Sequence, residues 1–301
     1  MNLLITGAWQ DAQKHIPELE RMGHSVLFMQ YENDVLPCGY DWVEGVVANG
    51  LFQSHGIEKF TRLHYIQVTS AGLDRVPLEY AAEHGIELHN ARGVYSVPMA
   101  EYAVGGVLQL YRQAAFFREN QRLRRWEKKR ELAELYGKTV CIIGCGSVGT
   151  ECARRFSAFG CRVIGVNRHP REDENYYSMV PVGALGEVLP EADVVVLAVP
   201  LTEETRRLID AEKLGKMKLG AVLVNIARGA VVDERALEAA LGANLGGAVL
   251  DVFEEEPLSA ESPLWDMENV IITPHNSFVG DGNAERLKSV IMGNLRAAEY
   301  I

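Results

Sequence analysis

The sequence predicts an α/β protein of two domains, each a doubly wound parallel sheet. Three observations lead there. Residues 1–96 alternate short apolar runs with helical segments, a rhythm that suits parallel strands joined by helices. Lys138 to Gly149, KTVCIIGCGSVG, passes from a β-branched run straight into a glycine-spaced turn. From Asp193 the strand-and-helix alternation resumes. With 301 residues and 48% hydrophobic content the chain is long enough to bury two cores.

In the N-terminal part the expected strands are Leu3–Thr6, Ser25–Met29, Val43–Ala48, Tyr65–Thr69 and Ile86–His89, with helices near Asp11–Met22, Ile57–Leu63 and Pro77–His84. Gly23 and Gly85 stand where helix C-caps belong. The opening LLITGAW lacks the second and third glycines of a dinucleotide turn. After the fourth strand comes Thr69-Ser70-Ala71-Gly72-Leu73-Asp74. Backbone amides there can hold a small anion; the plainer alternative is a connection with Asp74 as a helix cap. A long helix is expected from Pro98, in its first turn, toward Arg118, with Val104, Val107, Leu108 and Tyr111 at helical spacing. The basic run Arg122–Arg130 contains one aromatic, Trp126, and reads as a solvated arm with that ring as its anchor.

The glycine-spaced turn carries the first chemistry. Thr139–Ile143 reads as a buried strand, Val148–Phe159 as a helix closed by Gly160, and Cys161–Val166 as the next strand. In such a βαβ unit Gly144 makes the tight turn, Gly146 admits a pyrophosphate to the backbone, and Gly149 lets helix and strand pack closely. The phosphates then sit on the helix N-terminus. An acidic residue about 20 positions past the glycines would bind the ribose 2′-hydroxyl of NAD. Here the strand runs out through Asn167-Arg168-His169-Pro170-Arg171, with no carboxylate at its tip. Arginine gains charge-assisted bonds from a 2′-phosphate, which favours NADP(H); alternatively Asn167 bonds the ribose and NAD binds.

Further strands are expected at Asp193–Val199, Ala221–Ile226, Gly247–Val252 and Val270–Thr273, with helices at Asp233–Leu241 and, finally, Asn283–Tyr300. Three of these strands end in a reactive residue: Arg228, Glu256 in the acidic loop Glu254–Pro257, and His275 after Pro274. The carboxyl edge of an open parallel sheet is its ligand edge. Together the three suit hydride transfer to a 2-oxo acid. Arg228 would hold the carboxylate and polarise the ketone, His275 would give or take the proton, and Glu256 would orient and stabilise the imidazolium.

Composition closes off other classes. A formal charge of -11 and a pI near 5.3 argue against nucleic acid as the main partner. No run of about 18 apolar residues suggests a membrane span, and MNLLITGAW lacks the basic region of a signal peptide, so a cytoplasmic protein is expected. Five cysteines, four of them inside the βαβ unit, read as apolar filling; no disulfide and no metal site is expected.

The chain resembles the D-isomer-specific 2-hydroxyacid dehydrogenase family over nearly its whole length. The matching stretches are SAGLD at Ser70–Asp74, MAEYA at Met99–Ala103, GKTVCIIGCGSVG at Gly137–Gly149, VPLTEETRRLI at Val199–Ile209, NIARGAVVDERAL at Asn225–Leu237, GAVLDVFEEEPL at Gly247–Leu258 and NVIITPHNS at Asn269–Ser277. The resemblance implies a flavodoxin-like substrate domain, discontinuous over 1–96 plus 279–301, and an inserted Rossmann NAD(P)-binding domain over 97–278, with the active site in the cleft. It implies that Arg228, Glu256 and His275 are catalytic and that the Ala71 and Gly72 amides, with Arg228, bind the substrate. Ser147 and Val148 would meet the pyrophosphate, Val199, Pro200 and Thr205 the adenosine side, and Ile226, Ala227, Asp251 and His275 the nicotinamide. Homodimers joined through the cofactor domain are expected, which gives the basic arm a role. Asn167 in place of the family's usual acidic residue points to the glyoxylate and hydroxypyruvate reductase branch; a phosphoglycerate dehydrogenase of short form is the other branch considered. Formate dehydrogenases carry glutamine where Glu256 stands, and a non-enzymatic dinucleotide-sensing protein of the same fold is the alternative function. The substrate side chain is expected to meet Asn49, Gly50, Leu51 and Asn276–Val279.

Overall fold

The computed structural model describes residues 1–298 and forms two compact units, residues 1–95 with the segment from Gly280 onward, and Ser96–Val279.

The first unit holds β1 (Asn2–Thr6), α1 (Ala12–Arg21), β2 (Ser25–Met29), β3 (Gly45–Ala48), α2 (Leu51–Ser54), β4 (Tyr65–Val68), α3 (Leu78–Glu83) and β5 (Glu87–His89). All five strands are parallel in the order β2-β1-β3-β4-β5, the flavodoxin-like arrangement. Leu3 and Ile5 of β1 face one core with Trp9, Val47 and Tyr65, while Leu4 between them faces the other with Val46, Ile66 and Val68. Burial on both faces is why these strands are continuously apolar rather than alternating.

One expected element differs. In place of a helix at Ile57–Leu63 there is the short α2 and a 3₁₀ turn at Ile57–Lys59. Ile57, Phe60 and Leu63 are all buried, so a spacing of three that mimics a helix face is met by successive tight turns. α3 begins after Pro77, so Asp74 is not its cap.

The second unit opens with α4 (Ser96–Tyr111) and α5 (Ala114–Arg122). The single helix expected here is broken at Gln113, whose φ of 53° is left-handed. Pro98 lies in the first turn of α4, where its missing N–H has no intrahelical partner to lose. There follow β6 (Thr139–Ile143), α6 (Ser147–Ala158), β7 (Arg162–Asn167), β8 (Ser178–Pro181), α7 (Leu185–Val188), β9 (Val194–Leu197), α8 (Ala211–Lys216), β10 (Val222–Asn225), α9 (Glu234–Leu241), β11 (Gly247–Leu250) and β12 (Val270–Ile272). The sheet is parallel throughout, in the order β12-β11-β10-β9-β6-β7-β8. β8 escapes the sequence pattern because it is a half-exposed edge strand ending in Pro181. Strand order reverses between β6 and β9, which creates the crevice where ligands of open α/β sheets bind.

The chain ends on α10 (Asn283–Ala298), whose Leu287, Ile291 and Leu295 join Leu3, Ile5 and Trp9 in the first unit's core. Residues Glu299 and Tyr300 of the expected final helix lie outside the described residues. Among the described residues no helix is long and apolar enough to cross a membrane. All five cysteines are free; burial holds the Cys145 and Cys161 thiols up at about 11 and Cys152 at about 12, so they pack as neutral groups.

At the opposite end of the second sheet Asp193 ties two strands together. Its Oδ2 accepts the Thr139 amide at 2.9 Å and its Oδ1 the Lys218 ammonium at 2.7 Å. Burial works to raise this carboxyl, but the Lys218 and Thr139 bonds outweigh it and hold it below the usual range. A depressed carboxyl contributes stability above its unfolded value of about 3.9 and loses it as pH falls through the folded value. Thermal melts between about pH 6 and pH 3 are expected to show a steeper acid loss for the native chain than for Asp193→Asn, which lacks this group.

Candidate active site

The crevice is lined first by the β6–α6 turn, where three glycines meet three different demands. Gly144 has a φ of 99°, and a Cβ there would lie 2.5 Å from the Ala198 carbonyl oxygen. A Cβ on Gly149 would stand 2.0 Å from the Gly144 oxygen, so α6 packs directly on the turn. Around Gly146 nothing lies within 4 Å of a built Cβ, and as the N-cap of α6 it offers no side-chain bond to the helix amides. An open approach to uncapped amides at Ser147 and Val148 is the cradle a pyrophosphate requires. The residues present therefore fit a dinucleotide.

Asn167 ends β7 and turns its Nδ2 back to the His169 carbonyl at 3.1 Å. Arg168 is exposed, 3.9 Å from Glu204. Arg171 reaches back to the glycine turn, donating to the Cys145 carbonyl at 3.1 Å while pairing with Asp173 at 3.3 Å. That link between strand tip and glycine turn has no signature in the sequence. Across the crevice Val199 and Pro200 follow β9, and Thr205 closes their turn, accepting the Thr202 amide and donating to the Pro200 carbonyl, both at 2.7 Å.

Beyond β10 the buried Asn225 shapes the path to Arg228. Its Oδ1 accepts from Ala227 N and its Nδ2 donates to the Arg228 carbonyl, each at 3.1 Å. Ile226 and Ala227 are buried between. The Arg228 backbone is extended, and its Nη1 donates to the Ala227 carbonyl at 2.8 Å. Gly229 is pressed on the next loop so closely that a Cβ would lie 1.8 Å from the Phe253 carbonyl carbon. The Arg-Gly pair therefore sets the β10 end against the loop that carries Glu256.

Glu256 accepts the Phe253 amide on Oε1 at 3.2 Å, which leaves Oε2 to meet His275 Nδ1 at 2.8 Å. Glu256 and His275, expected to act as a pair, are thus in contact. His275 sits in the left-handed region, φ 52°, with its amide shared between the Asp251 carbonyl at 2.8 Å and the Thr273 carbonyl at 3.0 Å. Asp251, at the end of β11, is 1% exposed. Its Oδ1 accepts the Thr273 hydroxyl at 2.5 Å and the Asn276 amide at 2.7 Å, and its Oδ2 the Ser277 amide at 3.0 Å. Its carboxylate is thus bonded to the His275 loop. Tyr102 of α4 adds its hydroxyl to Thr273 at 2.7 Å. Both lie in matched stretches, MAEYA and NVIITPHNS, and Thr273 ends an expected strand, but neither was assigned a role; only the fold brings them together here.

In the first unit, the Ser70 hydroxyl donates to the Gly72 carbonyl at 2.8 Å and Asn90 Nδ2 to the Ala71 carbonyl at 2.7 Å, so the carbonyls of the Ala71–Gly72 turn are tied back. Glu32 grips the loop after β3 through the Asn49 and Gly50 amides, both at 2.6 Å. Leu51 opens α2 and lies in the core, 1% exposed, so it faces away from solvent. Among the described residues no cluster of three His, Cys, Asp or Glu is gathered for a metal.

Comparison with known proteins places the chain in a family. The family described as D-isomer specific 2-hydroxyacid dehydrogenase, NAD binding domain, matches residues 104–277. An (S)-sulfolactate dehydrogenase of Chromohalobacter salexigens is 37% identical over 245 residues, 80% of this chain and 79% of that protein. A D-isomer specific 2-hydroxyacid dehydrogenase family protein from Aeromonas salmonicida superposes with a TM-score of 0.85 at 33% identity, covering 99% of this chain and 95% of that one. Another from Xanthobacter autotrophicus, solved with NADPH and MES, gives 0.80 at 29% identity over 99% and 95% of the two chains. The protein belongs to the D-isomer-specific 2-hydroxyacid dehydrogenase family, as the resemblance in its motifs anticipated. It is an NAD(P)-dependent oxidoreductase of 2-hydroxyacids.

The three glycines separate fold from cofactor. Gly149→Ala is expected to destabilise the unit by about 3 kcal/mol or more, since backbone must move. Gly146→Ala is expected to melt like the native chain yet bind NADH and NADPH at least about tenfold more weakly. Calorimetric melts beside nucleotide titrations check both; weak binding without a change of melting temperature in Gly149→Ala would contradict the assignment.

Proposed function

We propose that this protein transfers a hydride reversibly between NADP(H) and a small 2-oxo acid, with Arg228, Glu256 and His275 as the catalytic residues. The observation that carries the reading is the 2.8 Å contact of His275 Nδ1 with Glu256. A carboxylate on Nδ1 fixes the imidazole tautomer and orients the ring, leaving Nε2 to exchange a proton with the reacting oxygen. When bound, the nicotinamide supplies or receives the hydride. Arg228 presents a planar fork to the substrate carboxylate and carbonyl, drawing electron density toward the oxygen as the alkoxide grows. His275 then donates the Nε2 proton to that oxygen; in the oxidative direction it removes the hydroxyl proton. The Ala71 and Gly72 amides serve as further donors to the carboxylate in this reading.

NADP(H) is preferred because no carboxylate stands at the tip of β7 and Arg168 is exposed there. Glyoxylate and hydroxypyruvate are the first acids to test. Two chains are proposed to join through the cofactor unit, supported by Trp126, which is 97% exposed on the basic arm. A reducing compartment such as the cytoplasm suits five free thiols.

Absorbance decay of NADPH and of NADH against a panel of 2-oxo acids tests the reaction. His275→Ala is expected to lower reduction turnover by about two to four decades with cofactor affinity nearly intact; near-normal turnover removes it from the mechanism. Arg228→Lys is expected to be severely impaired, because a point charge cannot replace the fork. Arg168→Ala is expected to weaken NADPH by about tenfold and leave NADH within about twofold.

A further inference from the structure

We propose that Tyr102 and Thr273 are positioning residues for His275, acting through the carboxylate of Asp251; this rests on the reading of His275 as the proton donor. The His275 loop needs such support. A residue with a Cβ in the left-handed region reverts to ordinary backbone unless its surroundings hold it there. His275 is held at φ 52° by its own amide, on the Asp251 and Thr273 carbonyls, and by the next two amides, which both end on the Asp251 side chain. The direction of that carboxylate therefore decides where the imidazole stands relative to Glu256.

Behind the loop one hydroxyl, that of Thr273, links Asp251 to Tyr102. Asp251 can only accept, and three donors converge on it. The Thr273 hydroxyl has one proton, which it gives to Asp251 at 2.5 Å. The same Thr273 hydroxyl is the donor to the Tyr102 oxygen at 2.7 Å, so its one proton is shared between two acceptors. Held between the half-buried Tyr102 and the buried Asp251, the Thr273 hydroxyl is confined to one orientation. Burial pushes the Tyr102 phenol up to about 12, so it meets the Thr273 hydroxyl as a neutral group. Tyr102 lies 171 positions from Thr273, on the helix that opens the second unit. Its ring packs beside the β6–α6 core, which makes α4 a rigid platform for the hydroxyl.

The variants are Tyr102→Phe, which keeps the ring, Thr273→Val, which keeps the shape, and Thr273→Ser, which restores the hydroxyl. Steady-state kcat and KM are measured beside the Kd for NADPH and the melting temperature. Tyr102→Phe is expected to lower kcat about two- to tenfold, and Thr273→Val about tenfold or more. Thr273→Ser is expected to return kcat to within about threefold of the native value, and Kd for NADPH is expected to stay within about twofold throughout. A fall in melting temperature with unchanged kcat in Tyr102→Phe and Thr273→Val overturns the proposal, because the hydroxyls would then serve stability alone. If His275→Ala loses turnover while both variants keep it, the positioning role fails and the His275 reading stands. Near-normal turnover in His275→Ala overturns both.

Discussion

The buried carboxylate of Asp251 is the interaction on which the candidate site depends. It lies at the end of β11, accepts the Thr273 hydroxyl and two successive amides, and so sets the path of the loop that carries His275. A charge placed there without donors would be costly; with its donors supplied by the loop, the same desolvation becomes a reason for the loop to keep one conformation. The left-handed backbone of His275 is tolerated for that reason.

A second constraint is close approach of backbone to backbone. Gly149 on Gly144 brings α6 onto the end of β6, and Gly229 on Phe253 brings the end of β10 against the loop after β11. In both places the side chain that a Cβ would begin is missing because another peptide occupies its space. The first contact leaves the α6 amides open to phosphate, and the second sets Arg228 beside the loop of Glu256. Parallel strands that end at a common edge supply the frame; the two glycines set spacing within it.

Much of this was legible beforehand, for identifiable reasons. Strands buried on both faces must be continuously apolar, so β1, β6, β9 and β10 stand out against their polar connections. The glycine turn was legible because three separate steric demands fall at fixed spacing. Arg228, Glu256 and His275 were legible because each follows a strand in a chain already read as an open parallel sheet. The edge strand β8, the break at Gln113 and the turns around Ile57 were not, since each is decided by packing rather than by periodicity.

The family, the parallel α/β class and the residue types available for chemistry could be read before folding, because motif stretches, apolar periodicity and glycine spacing are local properties. Which of those residues support one another emerges from packing alone. The Tyr102–Thr273–Asp251 series joins three distant positions, Arg171 ties the tip of β7 to the glycine turn, and Asp251, expected at the nicotinamide, directs its oxygens to the His275 loop. Hydrogen bonds between distant side chains depend on where the packed elements bring their atoms, and no spacing within one segment encodes that distance.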